Sequence, residues 1–415
     1  MQELTHYING AHVAGTSGRF ADVMNPATGE VQARVPLANS AEMDMAVAHA
    51  AAAQPAWAAT NPQRRARILM KFVALLNRDM DKLAEALSRE HGKTLPDAAG
   101  DVQRGLEVVE YCIGAPQLLK GEFTDSAGPG IDMYSMRQAL GVTAGITPFN
   151  FPAMIPMWMF APAIACGNAF ILKPSERDPS VPLMLAELME EAGLPKGILQ
   201  VVNGDKEAVD AILHHDVIQS VGFVGSTPIA EYIYATGCAQ GKRVQCFGGA
   251  KNHMIIMPDA DLDNAADAVT FGVYFNVGQC CNSSSRIIVH EDIAKDFVAR
   301  IVALSRKVKF DDPMDPDTQV GAIVTAEHQG KIDGYVQQAV AAGAKLELGG
   351  GALSVAGLGP QFYQPTVLSN VTPDMPIARE EVFGPVLTVL TFRTLDEAIA
   401  LTNDSDYGLS AGIWS

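Results

Sequence analysis

From residue 141 to residue 247, short apolar runs alternate with helix-like stretches, and nothing else in the chain constrains its fold as much. Runs at 142–147, 169–172, 198–202, 218–223 and 243–247 predict strands. The stretches between them, up to Cys166, over 180–192, near 207–213 and from Thr227 on, predict helices. Strands apolar on both faces and joined by helices pack as a parallel sheet covered on each side. Ligands bind such sheets at the carboxyl ends of the strands, so this half is a candidate nucleotide site. After Asp259 a second α/β region is predicted. Its strands lie at 286–290, 345–348, 366–368 and 385–392, with one helix ahead of Cys281 and others over 294–308 and 326–342. A further helix opens at Thr394, where Thr394 and Glu397 form a capping box. Residues 409–414 read as a strand with no partner following it.

Ahead of the alternation, residues 7–35 read as short strands. Asn9-Gly10 is a hairpin signal and Asn25-Pro26 with Thr28-Gly29 another turn. Helices are predicted over 40–59, from Asn61 as N-cap with Pro62 at the first helical position, and over 95–119. Residues 121–140 look like a separate hairpin. The predicted division is therefore 1–120 with 141–250 as a nucleotide-binding domain, 121–140 as a bridging and oligomerisation hairpin, and 251–415 as a second α/β domain.

With 415 residues, 48% hydrophobic and 19% charged, the chain fills more than one soluble core. A formal charge of −17 argues against nucleic acid or an anionic membrane as partner. The best apolar segment, 149–166, is cut by Pro152, Pro156 and Pro162, so no uninterrupted apolar run reaches the length of a membrane span. No basic-then-apolar leader opens the sequence, and Cys112, Cys166, Cys238, Cys246, Cys280 and Cys281 form no secreted framework. The expected compartment is the cytoplasm.

Cys280 and Cys281 stand side by side, after Gly278-Gln279 and before Asn282-Ser283-Ser284-Ser285. Neighbouring thiolates cannot both face one ion, so no metal site is expected, and a disulfide between them is strained. A buried structural pair, or a nucleophile with an inert neighbour, remains. Gly222-Phe223-Val224-Gly225-Ser226-Thr227-Pro228 ends a strand and opens a helix, either as a phosphate cradle or as an ordinary turn. Lys173-Pro174-Ser175-Glu176 follows a strand and suits a ribose diol or an exposed ion pair. Asn150, within Pro148-Phe149-Asn150-Phe151-Pro152, is either an oxyanion donor or a turn-stabilising amide.

These segments, together with Glu381-Val382-Phe383-Gly384-Pro385, stand in the order and approximate spacing of the aldehyde dehydrogenase superfamily, which the whole chain resembles. The resemblance implies a Rossmann-type cofactor domain, an α/β catalytic domain and a bridging β-hairpin. It implies Cys281 as nucleophile and Asn150 as oxyanion donor. NAD would be held by Thr147, Phe149, Lys173, Glu176, Gly225, Ser226, Glu381 and Phe383, and a small aldehyde would be the substrate. A homo-oligomer, dimer or tetramer, is implied as well. Residues 244–253 and 257–261, the tract 155–160 and Arg104 are similar to CoA-acylating methylmalonate-semialdehyde dehydrogenases, which implies CoA as acyl acceptor, loss of carbon dioxide and Arg104 as a carboxylate grip. In register, the glutamate base of hydrolytic members is replaced by Phe247. The arginine that the acylating subfamily keeps before its nucleophile is replaced by Cys280, and from about Phe275 the chain looks more like general hydrolytic members. A hydrolytic semialdehyde dehydrogenase and a shortened, silent relative are the alternatives.

Overall fold

Apolar residues dominate the runs that become central strands, and those strands are covered on both faces. The computed structural model describes residues 2–415 and divides into two compact units. The first comprises Met1–Met24, Val31–Leu87 and Ala98–Gly248. Its main sheet contains β1 (His6–Ile8), β2 (Ala11–Val13), β3 (Val142–Ile146), β4 (Ala169–Lys173), β5 (Leu199–Val201), β6 (Ile218–Val224) and β7 (Arg243–Phe247), in the order β7-β6-β3-β4-β5-β1-β2. Strands β3 to β7 are parallel, and every residue of β3, β4 and β5 is buried. The hairpin β1–β2 turns on Asn9 and Gly10, both at positive φ, and adds antiparallel to β5. Buried faces of the helices Ser40–Ala58 (Met43, Val47, Trp57), Met154–Ala165 (Met157, Phe160, Ile164) and Ser180–Glu191 (Leu185, Met189) fill the core around this sheet.

Strand order decides where a ligand can sit. The chain runs from β3 outward through β4 and β5, then returns to the other side of β3 for β6 and β7. The direction reverses between β3 and β6, and the helices leaving their carboxyl ends diverge there to open a crevice.

Asn61 caps the helix Pro62–Arg78 as expected, through its side chain on Gln63 N–H. That helix ends at Arg78, and a separate helix, Met80–His91, follows where none was foreseen. The helix expected over 95–119 breaks at Gly114 into Leu95–Ile113 and Ala115–Leu118. Within 121–140, Phe123–Gly128 pairs antiparallel with Ile131–Tyr134 and with nothing else, leaving Phe123, Ile131, Met133 and Tyr134 exposed.

The second unit comprises Asn25–Glu30, Ser88–Asp97 and Gly249–Ser415. Its sheet is built from β8 (His253–Ile256), β9 (Arg286–His290), β10 (Lys345–Leu348), β11 (Thr366–Ser369), β12 (Val386–Phe392) and β13 (Ala411–Trp414), in the order β10-β11-β12-β9-β8-β13. The strand expected at 409–414 forms as β13, at the edge of the sheet, and lies parallel to β8, which precedes it in the chain. Only half of the expected capping box forms. Thr394 accepts from Glu397 N–H, while the Glu397 carboxylate reaches the Arg393 N–H, one residue before the cap. Two early segments join this unit through backbone hydrogen bonds. Ala322 N–H donates to Gly92 carbonyl at 3.0 Å and Gly359 N–H to Ala27 carbonyl at 2.7 Å. Gly92 adopts φ +89° with Ala322 oxygen 2.9 Å from where a Cβ would stand, so a larger residue would part these segments.

Candidate active site

The carboxyl edge of the first sheet gathers most of the residues singled out for a cofactor, while Glu381 and Phe383 belong to the second unit. Thr147 follows β3 and donates its N–H to the Lys173 carbonyl at 3.1 Å. Its hydroxyl is buried without a hydrogen-bond partner, an arrangement that costs free energy until an acceptor or donor arrives. Lys173 ends β4 with its ammonium buried, donating to Gly204 carbonyl at 2.7 Å and to Glu176 at 3.4 Å. Burial lowers the lysine's pKa, and Glu176 opposes that shift. Gly225 follows β6 and donates to Phe247 carbonyl at 3.1 Å. Ser226 is the N-cap of the helix Thr227–Ala239, and its side chain makes no capping bond, leaving the hydroxyl available at a helix N-terminus. Phe149 lies under the Arg177 guanidinium, 5.2 Å from its ring centre. Thr147, Gly225 and Ser226 thus flank the crevice between β3 and β6, with Lys173 and Glu176 one strand along. The arrangement suits an anionic, ribose-bearing ligand.

In the second unit the thiol loop is a strained turn. Asn276, Val277 and Gly278 are consecutive residues at φ +52°, +60° and +70°. A β-branched residue there is a true outlier, and each non-glycine costs about 1–3 kcal/mol that the surroundings must offset. Those surroundings are visible. Asn276 N–H donates to Asp97 at 3.1 Å, and Asn276 amide donates to Gln279 carbonyl at 2.8 Å. Gln279 in turn accepts from Val324 N–H at 3.1 Å. Gly278 has no room for a side chain, since a Cβ would fall 2.2 Å from Gly384 carbonyl oxygen. The glycines of Gly278-Gln279-Cys280-Cys281 and Glu381-Val382-Phe383-Gly384-Pro385 are therefore packed backbone to backbone. Phe383 is itself at φ +59°, with its carbonyl held by His328 at 2.7 Å.

The two cysteines differ in character. Cys280 is 4% exposed, with Sγ 2.8 Å from Asn282 Oδ1; Cys281 is only half-buried. The Cys281 thiol is held below the ordinary thiol range, first by a hydrogen bond from Cys280 and then by the backbone N–H groups of Cys281 and Asn282. Desolvation and the Glu381 carboxylate push the other way. Cys280 is pushed well up by the same bond and by burial. The Cys280 proton therefore has two acceptors, the Asn282 amide oxygen and, once Cys281 ionises, the thiolate. A thiolate in this setting is a ready nucleophile. Beside it, Glu381 accepts from Ala250 N–H at 3.1 Å, and burial raises its carboxyl pKa. Lys251, fully buried, donates to Ile377 carbonyl at 2.8 Å and is pushed down to about 7 by burial and by Arg286.

Asn150 is buried, as an oxyanion amide or a turn amide would be. Arg104 is exposed on the helix Leu95–Ile113, its carbonyl accepting from Trp158 indole N–H at 3.2 Å. Phe247 is the last residue of β7 and is 55% exposed, a ring with no proton to give or take. Among the described residues no group of side chains could hold a metal ion, and no helix is long and apolar enough to cross a membrane. Sequence reasoning missed Asp97, whose carboxylate anchors the thiol loop from more than 170 residues away.

A parallel sheet with a ligand crevice in one unit and an activated cysteine in the other suit an oxidoreductase that forms a covalent intermediate. Residues 12–415 match the aldehyde dehydrogenase family, and the chain belongs to that family. It is 50% identical over 410 residues to the malonate-semialdehyde dehydrogenase of Pseudomonas aeruginosa, covering 98% of this chain and 82% of that one. Its identity to the acylating, mitochondrial methylmalonate-semialdehyde dehydrogenase of Arabidopsis thaliana is 44%, covering 98% of this chain and 67% of that one. Among solved structures, a protein from Sinorhizobium meliloti 1021 assigned as a methylmalonate-semialdehyde dehydrogenase and complexed with NAD superposes with a TM-score of 0.99. The identity there is 56%, over 100% of this chain and 85% of that one.

Proposed function

We propose that the protein oxidises a malonate- or methylmalonate-type semialdehyde with NAD through a Cys281 thioester, and that CoA removes the acyl group with loss of carbon dioxide. The observation that carries the chemistry is the half-buried Cys281 thiol, lowered by Cys280 and two backbone N–H groups. In this reading the thiolate adds to the aldehyde carbon, and the oxyanion is stabilised by the Cys281 N–H and by Asn150, the latter assigned on its sequence motif alone. NAD accepts the hydride when bound; Thr147, Phe149, Lys173, Glu176, Gly225 and Ser226 hold its adenosine and pyrophosphate, and Glu381 and Phe383 its nicotinamide end. A CoA thiolate then attacks the thioester and releases Cys281. The substrate class is supported by the relatives named above, the acylating step by Phe247. An aldehyde panel assayed for NADH and acyl-CoA, with and without CoA, tests the whole scheme; no NADH from any semialdehyde would refute it. A hydrolytic enzyme is the second reading, favoured by a Glu381 carboxylate near enough to raise the Cys281 thiol. The exposed apolar hairpin Phe123–Gly128/Ile131–Tyr134 supports self-association into a homo-oligomer.

NAD is expected to be used in preference to NADP. Glu176 sits by the Lys173 ammonium at 3.4 Å, and its carboxylate accepts from a ribose 2′-hydroxyl but repels a 2′-phosphate. Turnover measured with both cofactors decides this, and a clear NADP preference removes Glu176 from the ribose. Arg104 is expected to grip the substrate carboxylate through its guanidinium fork. Arg104→Leu should then raise KM for malonate semialdehyde about tenfold or more, a loss of at least ~1.4 kcal/mol, and leave an uncharged aldehyde unaffected. Equal kinetics on malonate semialdehyde would return Arg104 to an ordinary helix-surface role.

A further inference from the structure

Asn252 lies immediately before β8, is 2% exposed, and uses its whole amide. Its Nδ2 donates to the carbonyl of Cys281 at 2.8 Å and to the carbonyl of Ser283 at 3.0 Å. Its Oδ1 accepts from Ser410 N–H at 3.1 Å and from the Ser410 hydroxyl at 2.9 Å. The flipped amide would face N–H against N–H and oxygen against two carbonyls, so the four partners admit only this orientation.

The bond to Cys281 carbonyl matters because of what that carbonyl is joined to. In a planar trans peptide the C=O and the following N–H point in opposite directions. The N–H opposite the Cys281 carbonyl is that of Asn282. With the carbonyl drawn to Asn252, the Asn282 N–H is turned away from Asn252, and it works to lower the Cys280 thiol as well as the Cys281 thiol. Meanwhile Ser283 N–H closes the turn on Cys280 carbonyl at 3.0 Å, and the Ser283 carbonyl is the second group that Asn252 clamps. Both carbonyls flanking Asn282 are thus fixed by one side chain. From this geometry we propose that Asn252 is a positioning residue for the nucleophile: by holding the Cys281 and Ser283 carbonyls it aims the Asn282 N–H at the Cys281 sulfur.

This rests on the reading of Cys281 as the nucleophile, and the test separates the two. The full chain is alkylated with iodoacetamide across a pH series, and the modified cysteine is assigned by peptide mapping. In the unsubstituted protein the label should fall on Cys281; a label that avoids Cys281 at every pH overturns both readings. In Asn252→Ala the rate of Cys281 labelling should rise at a pH about one unit higher, because a hydrogen bond to a charged group has been lost. Measured at pH 7, labelling should be several-fold to about tenfold slower. A merely structural role would lower the unfolding temperature and leave that pH profile in place. Ser410→Ala leaves the thiol loop's sequence intact and removes one of the bonds orienting Asn252, so it should move the profile the same way by less; it carries the decision if Asn252→Ala does not fold. Cys281 labelled with the same pH midpoint in the variants overturns the role of Asn252 and leaves the nucleophile standing.

Discussion

Cys281→Ala is expected to reduce NADH formation to the uncatalysed background, while Cys280→Ala keeps much of the activity. The difference follows from placement. Cys281 is half-buried and flanked by backbone N–H groups, whereas Cys280 is enclosed with its Sγ against Asn282. Losing Cys280 should still leave a trace in the pH dependence. Its hydrogen bond is the largest influence lowering the Cys281 thiol, so removing it raises that pKa and shrinks the thiolate fraction at a given pH. The rising limb of the rate–pH curve should therefore move to higher pH in Cys280→Ala. An active Cys281→Ala beside an inactive Cys280→Ala would show the register to be off by one residue.

A second large effect is expected when CoA is withheld. On the proposed reading Phe247, the last residue of β7, takes the place of a glutamate base, and a phenyl ring can neither order water nor take its proton. A well-placed general base contributes about 10²- to 10⁴-fold, so hydrolysis of the Cys281 thioester should be slow by about that factor. A thiolate has less need of such help toward a thioester. The enzyme should release a burst of NADH stoichiometric with Cys281, stall, and turn over steadily once CoA is supplied, with acyl-CoA as product. Phe247→Glu should raise hydrolysis relative to transfer. Fast steady turnover to a free acid without CoA would instead promote the hydrolytic reading and point to Glu381 as the base.

Local signals in the sequence carried the nucleotide-binding half well. Apolar runs bounded by helix starts located β3 to β7, and Asn9-Gly10 and Asn61-Pro62 announced their turn and cap because the chemistry of those structures lies within a few residues. The helix break at Gly114 and the end at Arg78 were missed because apolar periodicity runs across both, and only the packed structure decides where it stops. The candidate site was legible only in part. Cys281 was visible as one of an adjacent pair, and the order of motifs pointed to it. Its anchors were not: Asp97 binds Asn276 across the chain, Gly278 meets Gly384, and a strained Val277 carries no sequence mark. Such contacts are set by topology, which local pattern does not encode.

One end of the second sheet also has a history in time. Strand β8 gains its first neighbour, β9, soon after synthesis, but its other neighbour, β13, lies far downstream. The Ser410 groups that hold Asn252 are 158 residues later than Asn252 itself, which at ordinary ribosomal speeds is a wait of about 8–30 s. Parallel pairing over such a span is slow to nucleate, because loop closure must precede any gain from contact. Throughout that interval the nascent chain carries Cys280 and Cys281 without the clasp at Ser410. If Asn252 positions Cys281 as proposed, mature reactivity of the thiol is a late event in biosynthesis, and conditions that delay docking of β13 extend the period in which the newly made protein is inert.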